Sequence, residues 1–205
     1  EHSELIQTRR SLKSYQPDTP ITDTQLQAIF NDVQLTPSSF NLQHWTFIAI
    51  RDTERKKKMQ EIAFGQPQVN DCSAAILVCG KLDAWKDAAE IYGHTPQSVQ
   101  DSVVPMIHGM YDGNDQMCRD EAIRSASLAA MSLMYSATNH GFATGPMIGF
   151  NQADAAALCA LPQNIIPVML IVLGTQKDQP RPRDPRRPLT EIVKLEQYGD
   201  QGLSD

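Results

Sequence analysis

At 205 residues, 41% hydrophobic and 20% charged, the chain is long enough to bury one sizeable core and too apolar to stay disordered. A formal net charge of −6 and a pI of about 5.3 supply no global basic field for nucleic acid or an acidic membrane surface. No apolar run approaches the roughly 20 residues of a membrane-spanning helix, and Glu1-His2-Ser3-Glu4-Leu5 has neither the basic nor the apolar region of a signal peptide.

In chain order, residues 3–9 read as a short opening helix. Thr22-Asp23-Thr24-Gln25 has capping-box form and leads into Leu26, Ile29, Phe30 and Val33 at helical spacing. That helix has to end before Pro37, because the residue preceding a proline disfavours the helical region. Trp45-Thr46-Phe47-Ile48-Ala49-Ile50 reads as a strand, and Asp52 as the cap of a helix whose Arg55, Lys56, Lys57 and Lys58 form a solvated face. Ala74–Cys79 is a continuous apolar run, the mark of a buried strand. Residues 84–113 read as helical in pieces, interrupted near Gly93 and Pro96. Residues 116–140 contain no Pro or Gly and carry Ala and Met on more than one face, so they form a helix buried nearly all round, at the domain centre or a subunit interface.

Phe142-Ala143-Thr144 opens a short strand that ends in a turn at 145–150, and Asn151 caps a helix over 152–160. Val168–Gly174 is the strongest strand signal. The Pro-, Arg- and Asp-rich stretch 177–188 excludes regular structure, yet Leu189, Ile192, Val193 and Leu195 follow it. This pattern implies an ordered tail that reaches a sheet or a partner. The four cysteines, Cys72, Cys79, Cys118 and Cys159, form no CxxC pair and no zinc-ligand spacing, so they read as free thiols in a reducing cytoplasm and no metal site is expected. No GxGxxG follows a strand, and neither a P-loop nor a GxSxG elbow occurs.

The cationic residues cluster at 9–13, 51–58 and 181–187, which on an acidic chain suits a small anion. Three segments combine such cations with short hydrogen-bonding side chains: Thr8-Arg9-Arg10-Ser11-Leu12-Lys13, Pro37-Ser38-Ser39-Phe40-Asn41-Leu42-Gln43-His44-Trp45, and Pro185-Arg186-Arg187-Pro188-Leu189. Arg forms planar bidentate contacts with phosphate, while Lys acts as a point charge. Together the segments resemble the nitroreductase family of FMN flavoproteins, in the family's motif order and over nearly the whole chain. The chain departs from the pattern in carrying His44 where proline is commoner, and Ile148 where some relatives carry Glu.

The resemblance implies an α+β fold with a central mixed, mainly antiparallel sheet flanked by helices. It implies one domain over 1–205, in an intertwined homodimer whose C-terminal extension, 177–205, reaches the partner. FMN is the implied cofactor. Arg9, Arg10, Ser11 and Lys13 would serve its phosphate, ribityl and pyrimidine ends, with Arg183, Arg186 and Arg187 closing over the phosphate. Pro37, Ser38, Ser39, Asn41 and Gln43 would contact the flavin bound mainly by the other subunit. Gln66 and Gln68 would reach the pyrimidine edge, and Pro146-Met147-Ile148-Gly149 would place backbone amides beside the ring, where Gly149 permits close approach. Phe40, Phe64 and Tyr111 are candidates for an acceptor pocket. The implied activity is ping-pong reduction of nitroaromatics, quinones or similar acceptors by NADH or NADPH, with no side chain as essential acid or base. A same-fold ene-reductase or dehalogenase, or a flavin-storage protein without reductase activity, are the alternatives.

Overall fold

The structure, a computed structural model, describes residues 2–204. Its centre is β2 (Ala74–Lys81), whose residues are buried on both faces over 74–80. β2 pairs on one side with β1 (Trp45–Ile50) and on the other with β4 (Ile165–Gly174), which in turn pairs with β3 (Ala143–Met147). The order is β1-β2-β4-β3 and every pairing among these strands is antiparallel. The parallel component is an isolated bridge, Ser11 to Thr144.

The period-two alternation of β2 splits the core in two. Ala74, Ile76 and Val78 face a layer made by α2 (Asp23–Val33) and the long α7 (Asp115–Asn139), through Ile29, Val33, Ala126, Ala129, Ala130 and Leu133. Ala75, Leu77 and Cys79 face α3 (Thr53–Ile62), α4 (Pro67–Asp71) and α8 (Gln152–Leu158), through Met59, Val69 and Ala155. α7 lies close on the sheet because small residues meet there: a Cβ on Gly80 would come within 3.0 Å of the Ala122 Cβ. The capping box forms as the sequence implies, with the Thr22 amide donating to Gln25 Oε1 at 2.9 Å and the Gln25 amide to Thr22 Oγ1 at 3.2 Å.

Three boundaries differ from expectation. β3 runs on through Pro146 to Met147, so the turn is confined to 148–150; an edge strand tolerates a proline that lacks an N–H. β4 begins at Ile165, where a bulge opposite Val78/Cys79 accommodates Pro167. Residues 67–71, assigned no element from sequence, form α4 because Pro67 opens the first turn, the position where a missing N–H costs nothing. The expected break in 84–113 lies between α5 (Ala88–Ile91) and α6 (Gln97–Tyr111).

Two elements frame the sheet. α1 (His2–Thr8) leads into an extended strip stitched alongside β3 and β4 by Leu12 N to Thr144 O at 3.0 Å and Gln16 N to Thr175 O at 2.9 Å. Gly145 makes this possible, since a Cβ there would fall 2.5 Å from the Leu12 carbonyl oxygen. The tail does not reach the chain's own sheet. α9 (Leu189–Ile192) and the residues after it fold back on themselves through Leu195 N to Gln201 O and Leu203 N to Val193 O, leaving Leu189, Ile192, Val193, Leu195 and Leu203 exposed.

Candidate functional site

The Ser11 strip and the segment after β4 enclose a cavity of about 630 Å³ beside the β3 edge. Arg9, Arg10, Ser11, Lys13, Arg181, Arg183 and Arg186 line it, so six cationic side chains face two carboxylates, Asp178 and Asp184. Their crowding is visible in Arg183, whose pKa is held below its ordinary value by desolvation and then by Arg10, Arg186 and Arg9. Arg9 Nη1 is buried with no hydrogen-bond partner. A buried guanidinium nitrogen left unpaired is costly. A phosphate would satisfy it and relieve the repulsion, so the donor set fits the phosphate of FMN.

The predicted cations do not act alike. Arg183 Nη2 donates to the carbonyls of Ile6, Gln7 and Arg9 at 3.2, 3.2 and 2.9 Å, clamping the tail onto the carboxyl end of α1. Arg10 Nη1 also donates to carbonyls there, including that of Arg9 at 3.1 Å. Arg186 Nη1 donates to Asp184 O at 2.7 Å while lining the cavity. Arg187 is exposed and outside the lining. Arg181 lines the cavity and was not singled out from sequence; its only signal was membership of the 181–187 cationic cluster.

Further along β3 lies the second group. Gln66 is the residue preceding α4, and its Nε2 donates to Ala63 O at 3.1 Å and Gly149 O at 3.0 Å, while its Oε1 accepts from Gln68 Nε2 at 2.9 Å. Both ends of the Gln66 amide are engaged, and the pair braces the 148–150 turn. Gly149 sits under this brace, with space for a Cβ only 3.3 Å from Gln66 Nε2. Pro146 and Met147 are half-buried in β3, while Ile148 is 75% exposed at the turn. Phe64, 73% exposed with φ +57°, belongs to the adjoining turn.

The third group is elsewhere. Pro37, Ser38, Ser39, Asn41 and Gln43 lie before β1, at the opposite edge of the sheet from β3. Three strand spacings separate the edges, roughly 14 Å, and no residue of this loop lines the cavity. The loop is strained: Phe40, Asn41 and Gln43 have φ of +50°, +54° and +50°. Ser38 Oγ accepts from the Gln43 amide at 2.9 Å, and Tyr111 Oη donates to Ser39 Oγ at 3.1 Å. Tyr111, 1% exposed, therefore belongs to the core cluster of Leu42, Ala84 and Trp85 and is no open pocket wall; Phe40 is half-buried against the same cluster.

His44, which stands where the family pattern more often has proline, is 1% exposed. Its ring lies 5.9 Å from that of Tyr111, with Ser125 Oγ 3.5 Å from Nδ1 and Nε2 unpartnered. Burial lowers its pKa, against an opposing pull from Glu121, so the imidazole is neutral. The thiols offer no nucleophile: burial pushes Cys72 up to about 11 and Cys79 up to about 12. Among the described residues no His, Cys, Asp or Glu cluster could hold a metal ion, and no helix is long and apolar enough to cross a membrane.

The sequence model described as "Nitroreductase family" matches residues 6–175. MhqN of Bacillus subtilis (strain 168) is 37% identical over 202 residues, covering 95% of this chain and 98% of that protein. The FMN reductase [NAD(P)H] of the same organism is 30% identical over 192 residues, 94% of this chain and 72% of that protein. A crystal structure of a nitroreductase-type protein in complex with FMN, from Exiguobacterium sibiricum 255-15, superposes with a TM-score of 0.89 at 31% identity, covering 96% of this chain and 97% of that one.

Proposed function

This chain belongs to the nitroreductase family, and from that premise we propose that it is an FMN-dependent oxidoreductase that uses NADH or NADPH to reduce nitroaromatics, quinones or similar acceptors. The observation that carries the reading is the buried, unpartnered Arg9 Nη1 in a cavity lined by six cations. The FMN-bound relative and the FMN reductase support the cofactor; the second also supports the nicotinamide donor.

Arg9, Ser11 and Arg186 hold the phosphate end, and Arg181 adds charge at the same mouth. Arg10 and Arg183 act one step back, fixing the α1 end and the tail that carry them. Lys13 places a positive charge towards the ring, where it favours the reduced, more anionic form. The 148–149 backbone, stiffened by Gln66 and Gln68, would face the ring. When bound, FMN would supply the redox chemistry that links the nicotinamide donor to the acceptor. No acid or base is assigned to the chain.

The Ser38–Gln43 loop completes the site from a second copy of the chain, in a homodimer. The distance between the sheet edges supports this, as does the exposed apolar tail, which has nothing to cover it within one copy. The groove beside β1, lined by Phe30, Trp45 and Phe47, with a volume of about 410 Å³, is an apolar seat of the right character for that tail. Four free thiols suit a reducing compartment, and we place the protein in the cytoplasm.

The test is a visible absorption spectrum of the purified protein, with FMN supplied if needed, followed by anaerobic NADH or NADPH and then a panel of nitroaromatics, quinones, enones and halogenated acceptors. A flavin band that bleaches and is restored by nitroaromatics or quinones is expected. A bound flavin that does not bleach indicates storage, and failure to bind FMN removes the reading altogether.

A further inference from the structure

The strained loop at the β1 edge is held from behind by two hydroxyls. Phe40, Asn41 and Gln43 all adopt left-handed φ values, which for non-glycine residues persist only when the surroundings enforce them. Bonds inside the loop account for part of this: Asn41 N to Ser38 O at 3.1 Å, Leu42 N to Ser39 O at 3.0 Å and Gln43 N to Ser38 Oγ at 2.9 Å. The other constraints come from outside it. Tyr92 Oη donates to Phe40 O at 3.2 Å and Tyr111 Oη donates to Ser39 Oγ at 3.1 Å.

We propose that Tyr92 and Tyr111 form a hydroxyl clamp that holds the 38–43 loop in its strained, flavin-ready shape, and that both are positioning residues for cofactor binding. Tyr92 caps the carboxyl end of α5 and Tyr111 is the last residue of α6, so two successive helices anchor the two ties. Tyr111 is fully buried, and burial raises the pKa of its hydroxyl. By donating to Ser39 it occupies a lone pair of that oxygen and leaves the Ser39 hydroxyl hydrogen for another acceptor, as a residue facing a flavin oxygen requires. Behind Tyr111 the packing is firm. His44 sits against its ring at 5.9 Å, and Ser125, which donates to Glu121 Oε1 at 2.7 Å, backs His44 from α7. The clamp thus ties the loop to the end of α5 through Tyr92, to α6 through Tyr111, and to α7 through His44.

This inference rests on the reading that the loop contacts FMN, and the experiment separates the two. In the intact protein, Y92F, Y111F and the double variant remove hydroxyls without removing rings. Two readouts are taken: FMN affinity, from quenching of flavin fluorescence on titration of the FMN-free protein, and hydrogen exchange of the Asn41, Leu42 and Gln43 amides without FMN. Each single variant is expected to weaken FMN binding about 3- to 10-fold, the worth of one hydrogen bond, and the double variant about 10- to 100-fold. Exchange of the three loop amides should quicken by similar factors while β2 amides stay unchanged, a local effect that a general loss of stability would not produce. In an S39A background, Y111F should have no further effect on affinity. Wild-type affinity together with wild-type loop exchange in the double variant would overturn the clamp. If the wild-type protein fails to bind FMN, the functional reading falls and loop exchange alone decides the clamp.

Discussion

At the β3 edge the chain gathers more charge than it can satisfy, whereas at the β1 edge it gathers more backbone strain than its local sequence would tolerate. The first edge has Arg9 Nη1 buried without a partner among crowded arginines; the second has three left-handed non-glycine residues in a row of four. Both are departures from the lowest-energy arrangement, and both are expected where a protein prepares a site for something else. The difference is in what relieves them. An anion would relieve the first, while the strain of the second is held in place by hydrogen bonds from Tyr92 and Tyr111.

The largest effect is expected from a substitution at Gly145. Gly145→Val pushes a side chain into the Leu12 carbonyl, 2.5 Å from the Cβ position, and should detach the strip that carries Arg9. A loss of about 3 kcal/mol in denaturant unfolding is expected, together with loss of FMN binding. Arg9→Ala should leave the fold intact and weaken FMN binding about 100-fold, the scale of charge-assisted hydrogen bonds. Arg187→Ala, outside the cavity, should change affinity by less than about threefold; isothermal titration with FMN compares them.

The β1 edge is sharpened by pH. His44 has its pKa lowered from the ordinary 6.5 by burial, so the unfolded chain takes up a proton before the folded one does. Its contribution to stability is present above that value and is lost as pH falls from 6.5 towards the folded-state pKa. Thermal melts of the FMN-free protein should therefore decline over that window, and His44→Gln should decline less steeply. The smallest effect is expected from Gln43→Gly, which removes the penalty of a left-handed φ and should raise the stability of the FMN-free protein by about 0.5 kcal/mol in denaturant titration.

Much of this was legible in the chain. The capping box at Thr22–Gln25, the apolar run 74–79 and the helix over 116–140 are local or periodic signals, and they appear where the patterns place them. Arg9, Arg10, Ser11 and Lys13 were visible as a cluster and do line one cavity. What the sequence did not disclose are long-range assignments. Arg183 looks like any phosphate-binding arginine until its carbonyl partners, more than 170 positions away, are known. Gln66 looks solvated until Gly149 is placed beneath it. His44 looks exposed because a polar residue in a polar loop gives no hint that Tyr111 and Ser125 close over it. The apolar tail was legible as something that must be covered, and the structure shows that its own sheet does not cover it.

The most direct test of the two-edge account is complementation between dead sites. An Arg9→Ala chain lacks the β3-edge anchor, and an Asn41→Gly, Gln43→Gly chain lacks the β1-edge side chains while keeping the backbone conformation accessible. Each variant alone should bind FMN far more weakly than the wild-type protein. Refolded together, they form mixed dimers in which one site has both edges intact, and flavin absorbance should return at about one FMN per mixed dimer. Failure of the mixed dimers to regain FMN would contradict a site shared between copies and would place both groups of residues within one protomer's own chemistry.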